Sequence, residues 1–253
     1  MIVSAYTHVG LVRESNEDNY LVLDLGPGVP GRLLAVADGM GGVEDGEVAS
    51  AIAIETLRSR FGGRRTSGFN DPSGTGYPSY SHLLREAFDE ANRRIYQHSL
   101  ARLGHPGIGT TLTTLLYVED NYHLAHIGDS RAYLVRNGTI KQLTDDHSLV
   151  GEMVKNGDLT EKEAMRHPHR NILTHALGTE ERARVDVYEY EARPGDVVCL
   201  CTDGLTGVVG ANEIKQVIAE SEDLSTVARK LAQLANQRGG HDNVTVVVAR
   251  IPP

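Results

Sequence analysis

An α+β fold, with packed antiparallel sheets inside and helices outside, is what this 253-residue sequence predicts. Three observations lead there. Apolar strand-like runs recur along most of the chain. Short linkers at 119–121 and 137–138 separate neighbouring runs, as antiparallel hairpins require. Helical patterning falls in a few long segments rather than after every strand, which excludes a doubly wound parallel sheet.

The elements follow in order. Strands are expected at IVSAYT (2–7), YLVLDL (20–25) and RLLAVA (32–37), then a helix at about 46–60. Residues 62–80 are rich in Gly, Ser and Pro and read as a surface loop. A long amphipathic helix over 81–103 places Leu84, Ala87, Phe88, Ala91 and Ile95 on one face. Strands resume at TLTTLLYV (111–118), YHLAHI (122–127), RAYLVR (131–136) and TIKQLT (139–144). Residues 147–175 are polar and helix-prone. Strands at VDVYEYE (185–191) and DVVCLCT (196–202), a helix over 225–238 and a closing strand NVTVVVARI (243–251) complete the pass.

Composition narrows the function classes. Net charge is −9, which disfavours nucleic-acid and anionic-membrane partners. The two cysteines, Cys199 and Cys201, lie at i and i+2 in an apolar run and read as small core residues on one strand face. No disulfide framework is implied, which suits a reducing cytosol. No apolar run approaches ~18 residues and the N-terminus lacks a basic-then-apolar pattern, so neither a membrane span nor a signal peptide is expected.

Four aspartates share one setting. Asp38 ends LLAVAD, Asp129 ends HLAHIGD, Asp203 ends VVCLCTD and Asp242 precedes NVTVVVARI. A carboxylate beside a buried strand costs several kcal/mol unless paired or coordinated. Arg131 is placed to serve Asp129, but no Lys or Arg lies near Asp38 or Asp203 in sequence. Any one Asp-Gly pair is accounted for by a turn at a strand end. Four together favour hard divalent cations with oxygen ligands. In ADGMGG the glycine after Asp38 also lets its carbonyl approach a cation. The segment RESNED (13–18) adds a guanidinium beside two more carboxylates, and arginine suits bidentate phosphate binding. Cations with an arginine beside them point to phosphoryl chemistry.

The stretches RESNEDN (13–19), VADGMGG (36–42), GTT (109–111), HIGDSRAYL (126–134), TDDHS (144–148), RPGDVVCLCTDGL (193–205) and HDNVTVVV (241–248) resemble those of the type-2C (PPM) protein phosphatases, particularly the compact bacterial members. They stand in family order and span nearly the whole chain. The resemblance implies one domain over 1–253, a central antiparallel β-sandwich flanked by helices on both sides, and a flap at about 147–178 beside the active site, associated with substrate choice. It implies that Asp38, the Gly39 carbonyl, Asp203 and Asp242 hold two core ions, Mn2+ or Mg2+. Glu17 and Asp18 match acidic positions acting through metal-bound water, Asp129 a third-ion ligand shared with Asp203, and Arg13 the phosphate-binding arginine. The implied activity is hydrolysis of phosphoserine and phosphothreonine in proteins by a metal-bridged hydroxide. Implied partners are phosphorylated proteins, with a Ser/Thr kinase and its substrates among them. A cytoplasmic monomer is expected, with no nucleic acid and no membrane bound.

Two features depart from the family pattern. The histidine proposed as general acid is missing, with Met40 where many eukaryotic members carry it and Val43 where some bacterial members have one nearby, and the acidic residue often found after TDGL is absent. The proton donor is then either water on a third ion near Asp129 or a flap histidine, His167 or His169. Two other functions stay open from sequence: a catalytically weak binding module of the same fold, and a hydrolase of small phosphoesters. A cysteine-nucleophile phosphatase is excluded, because no arginine stands six residues after either cysteine.

Overall fold

Alternation along the strands sets the architecture. In β3 (Gly31–Met40), Leu33, Ala35 and Ala37 enter one core while Leu34 and Val36 enter another. A strand apolar on both faces must be covered on both. The strands β10 (Val197–Cys201) and β11 (Val244–Arg250) behave likewise. Cys199, Cys201, Val246 and Val248 point to one side, and Val198, Leu200, Val247 and Ala249 to the other. The computed structural model, which describes residues 1–26, 31–42, 45–62 and 79–252, meets that demand with four layers.

One sheet has the order β1 (Ile2–His8), β11, β10, β7 (Arg131–Arg136), β8 (Thr139–Gln142). The other has the order β2 (Asp18–Asp24), β3, β5 (Leu112–Val118), β6 (Asn121–Ile127), β9 (Asp186–Glu191), with the short β4 (Gly109–Thr110) on β3. All pairings among the described strands are antiparallel. The sheets share a core that includes Leu34, Leu115, Tyr122, Leu134 and Leu200. Helices α1 (Asp45–Phe61) and α2 (Tyr80–Leu103) cover the second sheet. Helices α6 (Ala211–Glu220) and α7 (Val227–Gln237) cover the first. Helices α3 (Leu149–Asn156) and α4 (Glu161–Ala164) lie in the excursion between β8 and β9, and α5 (Asp203–Thr206) follows β10 directly.

The local causes match the sequence. Helix α2 buries Leu84, Ala87, Phe88, Ala91 and Ile95; Ser79 caps it, its Oγ accepting the His82 N–H at 3.2 Å, and Gly104 ends it at φ 78°. The hairpin turns carry positive φ at Glu119 and Asp120 and again at Asn137 and Gly138, the conformation that matches strand twist. Both cysteines are free and buried. Helix α6 goes unassigned in the sequence reading, although Ile214, Val217 and Ile218 have helical spacing and Glu213 accepts the Gly210 N–H at 3.1 Å. The expected surface loop falls almost wholly on residues 63–78, outside the described residues, as does Val43.

A polar clasp joins the sheets at the edge of their shared core. Asp196 is 2% exposed. Its carboxylate accepts from Arg136 Nε at 2.7 Å and Nη2 at 2.6 Å, from the Arg193 N–H at 2.8 Å and from Tyr122 Oη at 3.2 Å. Burial by itself would raise the Asp196 pKa, but Arg136 and the Arg193 N–H hold it below the usual carboxylate range. A depressed folded-state pKa stabilises above the unfolded value of ~3.9 and is lost as pH falls through the folded value. Asp196→Asn is therefore expected to cost about 2–3 kcal/mol at pH 7, roughly 5–10 °C in Tm. Thermal melts between pH 7 and pH 3 should show the gap to the parent narrowing below about pH 4.

Candidate metal centre

The carboxylates meet where the strand ends of both sheets come together. Asp18 and Asp38 stand opposite each other in the β2–β3 ladder. Asp203 opens α5 at the end of β10, and Asp242 sits just before β11, the strand paired with β10. Asp129 lies in the turn where the chain leaves β6 in one sheet for β7 in the other. Two expectations of position change. Asp38 does not end its strand, because β3 runs on to Met40 by pairing Gly39 with Thr110 and Met40 with Gly109. Arg131 acts on Asp129 only through its charge: its fork goes to Asp146, with Nε at 2.9 Å from Oδ1 and Nη2 at 2.6 Å from Oδ2, and it bonds Tyr133 Oη at 3.1 Å.

A cleft of about 510 Å³ opens at this end, lined by Arg13, Glu17, Asp38, Gly39, Asp129, Asp203 and Asp242. That size suits a small ligand or a phosphate with its attached side chain. Asp18 lies behind it, buried, where Thr202 Oγ1 donates to its Oδ2 at 2.8 Å. Its Oδ1 is buried with no hydrogen-bond partner among the described residues.

The electrostatics are those of a cluster short of positive charge. Burial, and then Asp18, Asp203 and Asp129, push the Asp38 pKa well up. Burial and Asp203 do the same to Asp129, against Arg131. Burial and Asp242 raise Asp203, and burial raises Asp18 to about 7. Burial also raises Glu17, opposed by Arg13. Arg13 Nη2 lies 2.9 Å from Asp242 Oδ2, but the arginine side chain is 53% exposed, so the pair contributes no more than about 1 kcal/mol. One exposed guanidinium does not neutralise six cleft-lining carboxylates. Their oxygen-only chemistry, and the orphaned Asp18 oxygen, fit hard divalent cations. Among the described residues no group of three or more acidic, histidine or cysteine side chains is arranged to hold a metal ion by itself. A cation of the Mg2+ type does not need one, since it keeps several waters and takes one or two carboxylates.

Neutral groups hold the acids in place. Thr111 Oγ1 accepts the Asp38 N–H at 3.0 Å, and Thr110 Oγ1 donates to the Asp38 carbonyl at 2.9 Å. Thr111 Oγ1 also meets Ser130 Oγ, beside Asp129, at 2.8 Å. Asn243 clamps the 9–17 segment: its Oδ1 accepts the Glu17 N–H at 2.8 Å, and its Nδ2 donates to the carbonyls of Val9 at 2.8 Å and Ser15 at 2.9 Å. Sequence reasoning assigns no role to Asn243, because the partners it joins lie more than 220 residues away. His167 and His169 do not line the cleft. They pack on each other, ring centroids 5.6 Å apart, in the excursion between β8 and β9. The histidine that does line it is His175.

Glycine permits the close approaches. A Cβ on Gly39 would stand 2.1 Å from the Gly46 carbonyl oxygen and 2.8 Å from that of Glu17. One on Gly204 would stand 1.9 Å from the Asn243 oxygen, where α5 crosses the chain leading into β11.

The family model "Protein phosphatase 2C" matches residues 13–246. The chain is 35% identical over 242 residues to the serine/threonine phosphatase stp of Listeria welshimeri, covering 96% of this chain and 92% of that one. It is 34% identical to the protein phosphatase PhpP of Streptococcus pneumoniae over 250 residues, 98% and 96% of the two chains. Among solved structures, the S. agalactiae serine/threonine phosphatase superposes with a TM-score of 0.87 at 33% identity, covering 99% of both chains. The catalytic domain of the phosphatase PstP, solved in complex with two manganese ions, gives 0.82 at 34% identity, covering 100% of this chain and 98% of that one.

The Gly204 contact yields a test of the site's geometry. Gly204→Ala is expected to push α5 away from Asn243, costing about 2–3 kcal/mol and separating Asp203 from Asp242. Calorimetric titration with Mn2+ should show at least about tenfold weaker binding, while Gly138→Ala, in a turn far from the cleft, should leave Mn2+ affinity at the parental value.

Proposed function

The chain belongs to the protein phosphatase 2C family and is a metal-dependent protein serine/threonine phosphatase, and on that premise we propose how its residues divide the work. Asp38, the Gly39 carbonyl, Asp203 and Asp242 would hold two ions, Mn2+ or Mg2+, with Glu17 and Asp18 acting through their water and Asp129 joining Asp203 at a third. When bound, such ions supply Lewis acidity and lower the pKa of coordinated water. The observation that carries this reading is the surplus of cleft-lining carboxylate over basic charge, gathered from both sheets.

The remaining roles belong to the protein. Arg13 is only loosely tied to Asp242, so it can exchange that carboxylate for phosphate oxygens and orient the phosphorus. Asn243 keeps the Arg13-bearing segment seated against the strand ends. The reaction moves a phosphoryl group from a serine or threonine oxygen to water, and the cleft fixes donor and acceptor in line. The excursion between β8 and β9 would act as the flap beside the site, in one domain spanning the chain. The substrates are phosphorylated proteins, a Ser/Thr kinase and its targets among them, met by a monomer in the cytoplasm. Among the described residues no helix is long and apolar enough to cross a membrane. Comparing phosphopeptides with small phosphomonoesters would separate this reading from a small-phosphoester hydrolase.

Two measurements test the assignment. Phosphopeptide hydrolysis should disappear on exhaustive chelation and return with Mn2+ or Mg2+, and Asp38→Ala and Asp242→Ala should each abolish turnover. Full activity in chelator would refute the cation reading. Arg13→Ala should raise KM for phosphopeptides about tenfold or more, with a smaller fall in kcat and little change in Mn2+ affinity by calorimetry. Parental kinetics would leave Arg13 a solvated surface charge.

A further inference from the structure

A serine or threonine alkoxide is a poor leaving group, so the bridging oxygen needs a proton as the P–O bond breaks. The side chains lining the cleft offer few sources. Arg13 does not give up a proton in proteins. Glu17, Asp38, Asp129, Asp203 and Asp242 are the acids whose oxygens fit cations, and Glu180 is exposed. His175 is the one cleft-lining side chain of the kind that exchanges a proton near neutrality.

Its placement suits the task. His175 is half-buried, and its Nδ1 lies 3.1 Å from Thr174 Oγ1. That leaves Nε2 without a hydrogen-bond partner among the described residues. The ring meets His147 edge-on, centroids 5.5 Å apart at 73°. His147 is itself fixed. The Gly128 N–H donates to its Nδ1 at 3.3 Å, so Nε2 carries the proton and donates to Asp186 Oδ2 at 3.2 Å. The His147 carbonyl accepts the Thr174 N–H at 2.9 Å. The His175 ring is thereby tied to the turn that carries Asp129. A second cleft of about 650 Å³ runs under the β8–β9 excursion, and Asp129, Asn171, His175 and Asp203 line both clefts. The departing hydroxyl belongs to a polypeptide, which needs room beyond the phosphate. His175 stands where that room begins.

We propose that His175 is a catalytic residue that protonates the leaving serine or threonine oxygen. The P–Oγ bond breaks with its electron pair passing to Oγ, a water oxygen forms the new bond to phosphorus, and the His175 Nε2 proton goes to Oγ. The proton released by the attacking water returns through solvent to the imidazole, so the net reaction is phosphoester plus water to alcohol plus phosphate. The proposal rests on the phosphatase reading of the same site. Turnover by the parent with and without chelator tests that reading, and leaving-group dependence in variants tests this one, so each fails separately.

The experiment compares a phosphoserine peptide with p-nitrophenyl phosphate, whose leaving group departs without a proton, for the parent, His175→Gln, His175→Gly and Asp129→Asn. His175→Gln is expected to lose about 10²-fold or more in kcat on the peptide, the general-acid range, and less than about fivefold on the nitrophenyl ester. Calorimetry should find its Mn2+ affinity at the parental value, and added imidazole should restore peptide turnover in His175→Gly. Equal losses on both substrates, loss of Mn2+ affinity, or selectivity in Asp129→Asn but not in His175→Gln would each overturn the assignment.

Discussion

Burial of several carboxylates together at one end of the sandwich is the constraint on which this structure turns. Asp18, Asp38, Asp129 and Asp203 all have raised pKa values, each chiefly through burial, with like charge adding to it. A fold that needed only to be stable would not gather them. Two other acids are each matched to a forked guanidinium: the buried Asp196 to Arg136, and the partly buried Asp146, close to Asp129, to Arg131. The contrast between acids matched to an arginine and unmatched ones marks the site.

The backbone tolerates this because neutral donors and close packing do the holding. Thr110 and Thr111 fix Asp38 from the neighbouring strand, and Asn243 fastens the 9–17 segment across the sheet end. Gly39 and Gly204 let main chains approach to distances that any side chain would forbid. None of these contacts uses a carboxylate of the cleft, so the acids stay available. Asp242 is the exception: the Asn243 N–H donates to its Oδ1 at 2.9 Å, and Arg13 pairs with its Oδ2, a pairing exposed enough to be exchanged for an anion.

Chemistry and substrate access meet on one wall. The β8–β9 excursion is stitched back to the sheets by the bridges Ser148–Leu173 and Thr110–Leu177. Those bridges fix the stretch from Asn171 to Ala176 along the cleft and leave His167 and His169 away from it. A histidine's place in sequence thus says little about which of three neighbours reaches the site.

Much of the fold was legible in the sequence because its signals are local. Period-two runs with Asn-Gly at 137–138 gave the antiparallel strands, and the apolar stripe from Leu84 to Ile95 gave α2. Helix α6 escaped because it is short and opens on a glycine. The four Asp motifs were visible because each is a charge set against an apolar run. Sequence could not decide what depends on distant partners. It could not place Arg131 on Asp146, seat Asn243 between Val9 and Glu17, or choose His175 over His167 and His169. The sequence by itself determined which residues are apolar, charged or conformationally free, and so the strands, helices and acidic motifs. Only the tertiary structure decided which acids share a cleft and which side chain stands beside them. That depends on how two sheets pack and on contacts between segments far apart in the chain, which no local pattern encodes.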